Sequence, residues 1–458
     1  MSGFFTSFGK APLAIAVTAV IAGVLGWVTG PTFREKAKPD LVMAVFAKDH
    51  RAVYEPLIAA FERERGIRVQ LQLVEGRALQ SRLQAAMQSG AVVPDLVELS
   101  EPSIGYFTKG PLSDVGLVDL TDRIIADGLD KRLVANRFAL WSSRGRIFAL
   151  PHDVHPVALA YRADLCEQLG VDVSQLTTWD AFMEVGRRIS IDRNGDGAVD
   201  TYMIDLPHDG QFGIQVLLQQ RGGSLWDDQG RPAFDNQAAI DTVCWYVRAT
   251  RGPQRIAFSA GGGQTLAKTM IDGVALFYLA ADWRTKAFAN DMPQLSGKLR
   301  LMPLPAWTPG GRQTSSWGGT GMAMTRTCTK PDLAWDLVKW LYLNRESAAR
   351  NFRSSNILSP DRESWSLPTL DEPDPFYGGQ QVGRFFAKLA EQVPAVSVSP
   401  WETLARNKLN EAVLAAGEAY LRDPATLESA ARLELVRCAD YVRRKIERTR
   451  LLVPEATP

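Results

Sequence analysis

The nine residues DRNGDGAVD place oxygen-bearing groups at alternate positions around a glycine. Asp192, Asn194 and Asp196 take the first, third and fifth places of a calcium-type loop, Gly197 the turn, Ala198 a carbonyl ligand place and Asp200 the ninth. That spacing suits a structural calcium ion. Met203 stands where a bidentate glutamate would close the cage and couple it to a second helix, so a calcium sensor is not expected. A metal-free Asx turn uses the same residue types and stays open as the other reading. HDVHP supplies His152, Asp153 and His155 within four residues, but no further ligand stands near enough in sequence to complete a transition-metal site. With only four histidines, no Ser-His-Asp or Cys-His set can be placed. SAGGGQTL lacks the Gly-Lys-Ser/Thr ending of a phosphate loop, so it reads as a flexible turn before a helix and not as a nucleotide site; no organic cofactor is expected.

Carboxylates and indoles form the remaining chemistry. Asp49, Glu75 and Glu101 each follow an apolar run of strand length, where a carboxylate can accept hydrogen bonds from ligand hydroxyls. Asp49 equally suits the cap of the helix that follows it. Trp226, Trp283 and Trp317 stand beside glycine or acid in GGSLWDD, AADWR and SSWGG, with Asp282 next to Trp283. An indole face covers the C–H patches of a sugar ring while polar neighbours hold its hydroxyls; an indole that anchors its loop to the core is the alternative for Trp226.

These residues need a frame to position them, and the periodicity of the chain describes one. LVMAVFA reads as a strand, HRAVYEPLIAAFERERG as a helix with Val53, Leu57, Ile58 and Phe61 on one face, IRVQLQLV as a strand, ALQSRLQAAMQSG as a helix and DLVEL as a strand. Strand, helix, strand, helix, strand implies parallel pairing by right-handed crossovers. Ligands of such sheets meet the loops after the strands, which is where Asp49, Glu75 and Glu101 stand. TTWDAFMEVGRRIS and TKPDLAWDLVKWLYLN read as helices, opened by Thr177 with Asp180 and by Thr329 with Asp332 in capping-box spacing. From Gly378 onward the pattern is almost wholly helical.

The whole composition fits a globular chain of more than one domain, with 458 residues, 46% of them hydrophobic. Lys plus Arg number 52 against 51 Asp plus Glu, so no positive field invites nucleic acid. Cys166, Cys244, Cys328 and Cys438 stand far apart, as buried thiols or one or two long-range disulfides. APLAIAVTAVIAGVLGWVTGPTF carries no charge from Ala11 to Phe33 and is long enough to cross a bilayer as a helix. An uncleaved N-terminal transmembrane anchor is expected there rather than a cleaved signal, with the rest of the chain exported.

At this point YEPLIAAFERERGIRVQLQLVEG, LQSRLQAAMQSGAVVPDLVEL, IFALPHDVHPVALAYRADL, LTTWDAFMEVGRRI, DGVALFYLAADW and WGGTGMAMTRTCTKPDLAWDLVKWLYL resemble, in order, the landmarks of the family 1 extracellular solute-binding proteins. Those are the sugar-type receptors of ABC importers, and the resemblance runs from about Leu41 to Asn344. It implies a two-lobed periplasmic-binding-protein-like α/β fold of type II with a hinge and a ligand cleft. After the N-terminal segment 1–38, the first lobe is expected at 39–153 plus 266–317 and the second at 154–265 plus 318–458. The hinge falls at LPHDVHP and WGGTG, which brings His152, Asp153, His155 and Gly319 into the candidate ligand set beside Asp49, Glu75, Glu101, Trp226, Asp282, Trp283 and Trp317. The resemblance further implies a non-enzymatic receptor that holds a carbohydrate on the periplasmic or extracellular face, anchored in the cytoplasmic membrane, and delivers it to importer permease subunits. Two other readings stand beside it: a carbohydrate-active enzyme using Asp153 and Glu101 as acid and base, and a tethered sugar sensor. Calcium loops placed like DRNGDGAVD occur in some relatives of the family, and they resemble structural sites.

Overall fold

The computed structural model describes residues 38–452 apart from 102, 109, 110 and 228. From Leu41 the chain builds two α/β lobes, each around its own five-stranded sheet. The first sheet is assembled from β1 (Leu41–Val45), β2 (Val69–Leu73), β3 (Leu96–Ser100), β4 (Ala149–Pro151) and β10 (Thr320–Met324). The second uses β5 (Val157–Arg162), β6 (Tyr202–Asp205), β7 (Ala257–Phe258), β8 (Ala275–Ala281) and β9 (Leu299–Pro303).

In the first lobe the strand order is β2-β1-β3-β10-β4. β1 runs parallel to β2 and β3, as the expected alternation requires, because α1 (Lys48–Arg65) and α2 (Gly76–Ser89) supply the crossovers. Val53, Tyr54, Leu57, Ile58 and Phe61 form the buried stripe of α1. Burying a side chain such as Phe61 completely contributes about 2 kcal/mol. Gly66 then ends the helix at φ 65°, where its N–H satisfies the Glu62 carbonyl; only glycine takes that conformation without steric cost. β10 pairs antiparallel with both β3 and β4, and α7 (Pro331–Tyr342) lays Leu337, Val338 and Leu341 into the same core as α1.

The second sheet runs β9-β5-β8-β6-β7. β8 lies antiparallel to β5, with Phe277 opposite Tyr161, and parallel to β6. Its packing helices include α3 (Trp179–Ile189), α4 (Gln211–Gln220), α5 (Gln237–Thr250) and the C-terminal pair α10 (Glu402–Arg422) and α11 (Leu427–Leu452), which bury Leu409, Val413, Leu435 and Val442 against α5. α6 (Asp282–Asp291) packs on β8, α8 (Arg345–Ser355) packs on α1 of the first lobe, and α9 (Val382–Ala390) buries Val382, Phe386 and Leu389 in the second-lobe core.

Several sequence expectations are corrected by this pairing. Residues 266–317 were expected in the first lobe, but they contain β8 and β9, whose partners β5 and β6 belong to the second sheet. Residues 318–458 were expected wholly in the second lobe, yet Thr320–Met324 is hydrogen-bonded between β3 and β4, and α7 follows it into the first core. The cap of α3 is Thr178, which accepts from the Ala181 N–H at 3.2 Å, not Thr177. α7 starts on Pro331, whose fixed φ suits the first helical position, and has no side-chain cap, so Thr329 does not open it. All four cysteines are free thiols, and Cys166, Cys244 and Cys438 are buried. Among the described residues no helix is long and apolar enough to cross a membrane. The expected membrane-spanning segment, 11–33, lies outside the described residues.

Candidate functional site

Three side chains that the first lobe, the second lobe and the hinge deliver to one place define a crevice of about 130 Å3. Glu101 comes directly after β3, held there by its own N–H donating to the Gly319 carbonyl at 2.7 Å. Arg406 comes from the second turn of α10, and Trp317 from the segment that returns to the first sheet. Phe212, Gln215, Val216 and Gln219 complete the wall from α4, and their spacing of three, four and seven residues sets them on one face of that helix.

The crevice is closed across the lobes by charge. Arg406 donates through Nη2 to Glu101 and through Nε to Glu402 at 2.9 Å. Glu402 is itself buried at the start of α10 and accepts from the Trp226 indole at 2.5 Å. Burial lifts the Glu101 carboxyl above its ordinary range, and Arg406 opposes that rise while Glu402 adds to it. Tyr106 and Thr403 add an interlobe hydroxyl pair at 3.1 Å.

Aromatic rings make the apolar side. Trp317 meets Phe212 at 5.6 Å between ring centroids and Trp283 at 5.7 Å nearly edge-on, while the Arg284 guanidinium sits 4.9 Å from its ring. The Trp283 indole donates to the Trp317 carbonyl at 3.1 Å, so Trp283 holds Trp317 in place. Phe212 is exposed despite its size, at 54%. A ring left open beside a crevice is the form of a stacking surface.

Behind the crevice lies a buried hinge network. His155 donates from Nδ1 to Asp282 at 2.7 Å and from Nε2 to Asp153 at 3.1 Å. Two ring nitrogens that both face carboxylates must both carry protons, so His155 is an imidazolium. Burial alone would lower its pKa, but the two carboxylates outweigh it and push the value up to about 9. Asp153 also accepts from His152, Arg137 and the Thr320 N–H. Burial works against its charged form, yet His155 and His152 hold its carboxyl well below the usual range. Arg137 donates to the Ser316 hydroxyl and the Gly318 carbonyl, while the second Asp282 oxygen accepts from the Leu358 N–H at 2.9 Å. The segments around 153–155, 316–320 and 358 are thereby tied to one charged cluster. His155 takes φ 54°, a left-handed backbone rare outside glycine, which marks the sharp reversal at this crossing.

The sequence-predicted residues separate into several groups. Glu101 and Trp317 line the crevice. His152, Asp153, His155 and Asp282 are the hinge cluster and do not line it; their charges are consumed by one another. Gly319 is buried against Arg137 and Leu140, where a Cβ would come within 2.9 Å of the guanidinium, so it serves close packing rather than ligand contact. Trp226 is 3% exposed in the second core and holds Glu402. Trp283 supports Trp317. Glu75 is the cap of α2, accepting from the Ala78 N–H at 3.0 Å, and is exposed. Asp49 is exposed in the first turn of α1 and makes no capping bond. Phe212, Gln219, Glu402 and Arg406 were missed: α4 and α10 carry no motif that marks them, and only their placement at the interlobe gap does.

The loop at 192–200 is a set of Asx turns. Asp192 accepts from the Gly195 and Gly197 N–H groups, Asp196 from Ala198, and Asp200 from Arg193. Asn194 donates to Asp200 at 2.7 Å. Among the described residues no group of three or more His, Cys, Asp or Glu side chains converges as a metal site.

Comparisons with known proteins extend this geometry. A family model described as "Bacterial extracellular solute-binding protein" matches residues 47–347. The arabinooligosaccharide-binding protein of Halalkalibacterium halodurans is 24% identical over 380 residues, covering 81% of this chain and 83% of the relative. The arabinooligosaccharide-binding protein of Bacillus subtilis is 24% identical over 78% of this chain and 79% of its own length. The sugar-binding protein MalE from the phytopathogen Xanthomonas citri superposes with a TM-score of 0.72 at 21% identity, over 89% of this chain and 99% of that one, which establishes a common two-lobed fold.

Proposed function

The chain belongs to the bacterial extracellular solute-binding protein family, and from that premise we propose that it captures a sugar or oligosaccharide between its lobes and delivers it to an ABC importer. The observation that carries the reading is the crevice itself. Glu101 from one lobe and Gln219 and Arg406 from the other converge beside the open ring of Phe212 and the indole of Trp317. Hydroxyl-bonding groups around an apolar ring surface are what a sugar's two kinds of face require. The two arabinooligosaccharide-binding relatives support the ligand class.

The site supports binding without catalysis. A glycosidase needs one carboxyl ready to give a proton and another ready to act as base or nucleophile. Asp153 is fully hydrogen-bonded inside the hinge, and Glu101 is paired with Arg406. Incubation of the purified protein with arabinotriose, lactose and maltotriose tests this. A melting temperature raised by at least one sugar that is recovered intact supports the receptor, whereas a hydrolysed sugar overturns it.

The same reading places the protein on the outer side of the cytoplasmic membrane, anchored through 11–33 as an uncleaved helix, with importer permease subunits as its partners. The uncharged stretch supports the anchor. A mature N-terminus beyond Gly30 in a soluble fraction would overturn that part. Asp192, Asn194, Asp196, Ala198 and Asp200 are proposed to take a structural calcium ion, a reading supported by their spacing.

A further inference from the structure

Among the described residues that line the crevice, Gln219 is the one with a buried side-chain polar atom that lacks a hydrogen-bond partner. It is 8% exposed, on the last turn of α4, and its Oε1 is buried with no hydrogen-bond partner among the described residues. A buried carbonyl oxygen left without a donor costs about 1–3 kcal/mol, which a hydroxyl brought by a ligand would recover. Its neighbour on the same helix shows the contrast: Gln220 donates to the Pro305 and Arg312 carbonyls and accepts from the Trp179 indole, which satisfies it completely as a core residue.

We propose that Gln219 is the residue by which the second lobe selects its ligand, its carboxamide oxygen accepting from a hydroxyl of a neutral sugar whose ring lies against Phe212 and Trp317. The inference rests on the sugar-binding reading above and adds to it the acceptor and the charge class. Phe212 and Gln219 are seven residues apart, two turns along one helix face, about 10.5 Å at 1.5 Å per residue. That span exceeds a single ring and suits adjoining sugar units, one stacked and the next hydrogen-bonded. The charge balance of the crevice argues against an acidic sugar. Glu101 and Glu402 share the Arg406 guanidinium, so a uronate carboxylate brought beside it would meet two carboxylates that already claim that cation. A hydroxyl donates to a carbonyl oxygen where a carboxylate cannot.

The test uses the full protein with Gln219→Met and Gln219→Glu variants, titrated calorimetrically with arabinotriose, lactose, maltotriose and digalacturonate. At least one neutral sugar should bind the wild type, and digalacturonate should not bind. Gln219→Met should weaken the bound sugar about tenfold or more. Its melting temperature without sugar should hold or rise, because an apolar replacement removes an unpaired buried oxygen; a merely structural glutamine would show the opposite. Gln219→Glu should keep more of the affinity than Gln219→Met, since a carboxylate still accepts. Wild-type affinity in Gln219→Met, or a lower melting temperature with unchanged affinity, overturns the role of Gln219 while leaving sugar binding intact. Preferred binding of digalacturonate overturns the charge class, and no neutral sugar bound by the wild type overturns the reading beneath both.

Discussion

Raising the pH through 9 should loosen the hinge, and His155 is the group that should report it. Its ring lies 6% exposed between Asp153 at 3.1 Å and Asp282 at 2.7 Å, and both contacts need a proton on the imidazole. The folded pKa stands at about 9 against an ordinary 6.5. At roughly 1.4 kcal/mol for each tenfold in proton affinity, that difference corresponds to about 3 kcal/mol of folding stability. The group binds its proton more tightly when folded. Its contribution is therefore complete below about 6.5, declines as the unfolded chain gives up its proton, and is gone above about 9. The assay is denaturant unfolding of wild type and His155→Asn at pH 6, 7.5 and 9.5. Asparagine is chosen because it tolerates the left-handed backbone that His155 occupies, so the comparison isolates charge from strain. His50, raised against burial by Glu98, adds stability loss in the same direction, and His152, lowered by burial, acts oppositely; both remain in the variant, where loss of the His155 charge lets His50 rise further. The wild type should lose about 3 kcal/mol more than the variant across the range. Equal pH slopes would refute the imidazolium bridge.

Three other perturbations have defined outcomes. Trp317→Ala should weaken sugar binding by on the order of 1–3 kcal/mol, tenfold or more, with Trp283→Phe producing a smaller loss because it removes only the indole bond that positions Trp317; undiminished affinity in Trp317→Ala removes the ring from the site. Arg406→Met should destabilise by about 3 kcal/mol, since it leaves Glu101 and Glu402 buried without their cation, and adding Glu101→Gln should recover part of that loss; strictly additive changes in denaturant midpoint would disprove the pairing. Millimolar calcium should raise the melting temperature and chelator lower it, with the response absent in an Asp192→Ala, Asp196→Ala double variant; a wild type indifferent to chelator reduces the loop to its Asx turns.

The first three strands and two helices were legible because each is specified locally. Val53, Leu57, Ile58 and Phe61 repeat at helical spacing, Gly66 stops the helix, and neighbours in sequence become neighbours in space. Lobe membership after residue 265 was not legible, because β8 pairs with a strand more than a hundred residues earlier and nothing in VALFYLA states which sheet it joins. The site divides in the same way. Glu101 and Trp317 could be found from strand ends and loop context. Gln219 and Arg406 sit inside ordinary helical patterns, and their role arises only where α4 and α10 meet the interlobe gap. HDVHP drew notice for its residue types, but whether its charges face a ligand or one another depends on Asp282 and Arg137, which chain distance conceals.

On the proposed function, both lobes grip one sugar at this crevice. A crystal structure of the protein grown with whichever neutral oligosaccharide raises its melting temperature tests it most directly. The expected result is a sugar ring against Phe212 and Trp317, with hydroxyls bonded to Glu101 or Arg406 on one side and to Gln219 on the other. A sugar held on the outer surface of a single lobe, with the crevice residues making no contact, would contradict it.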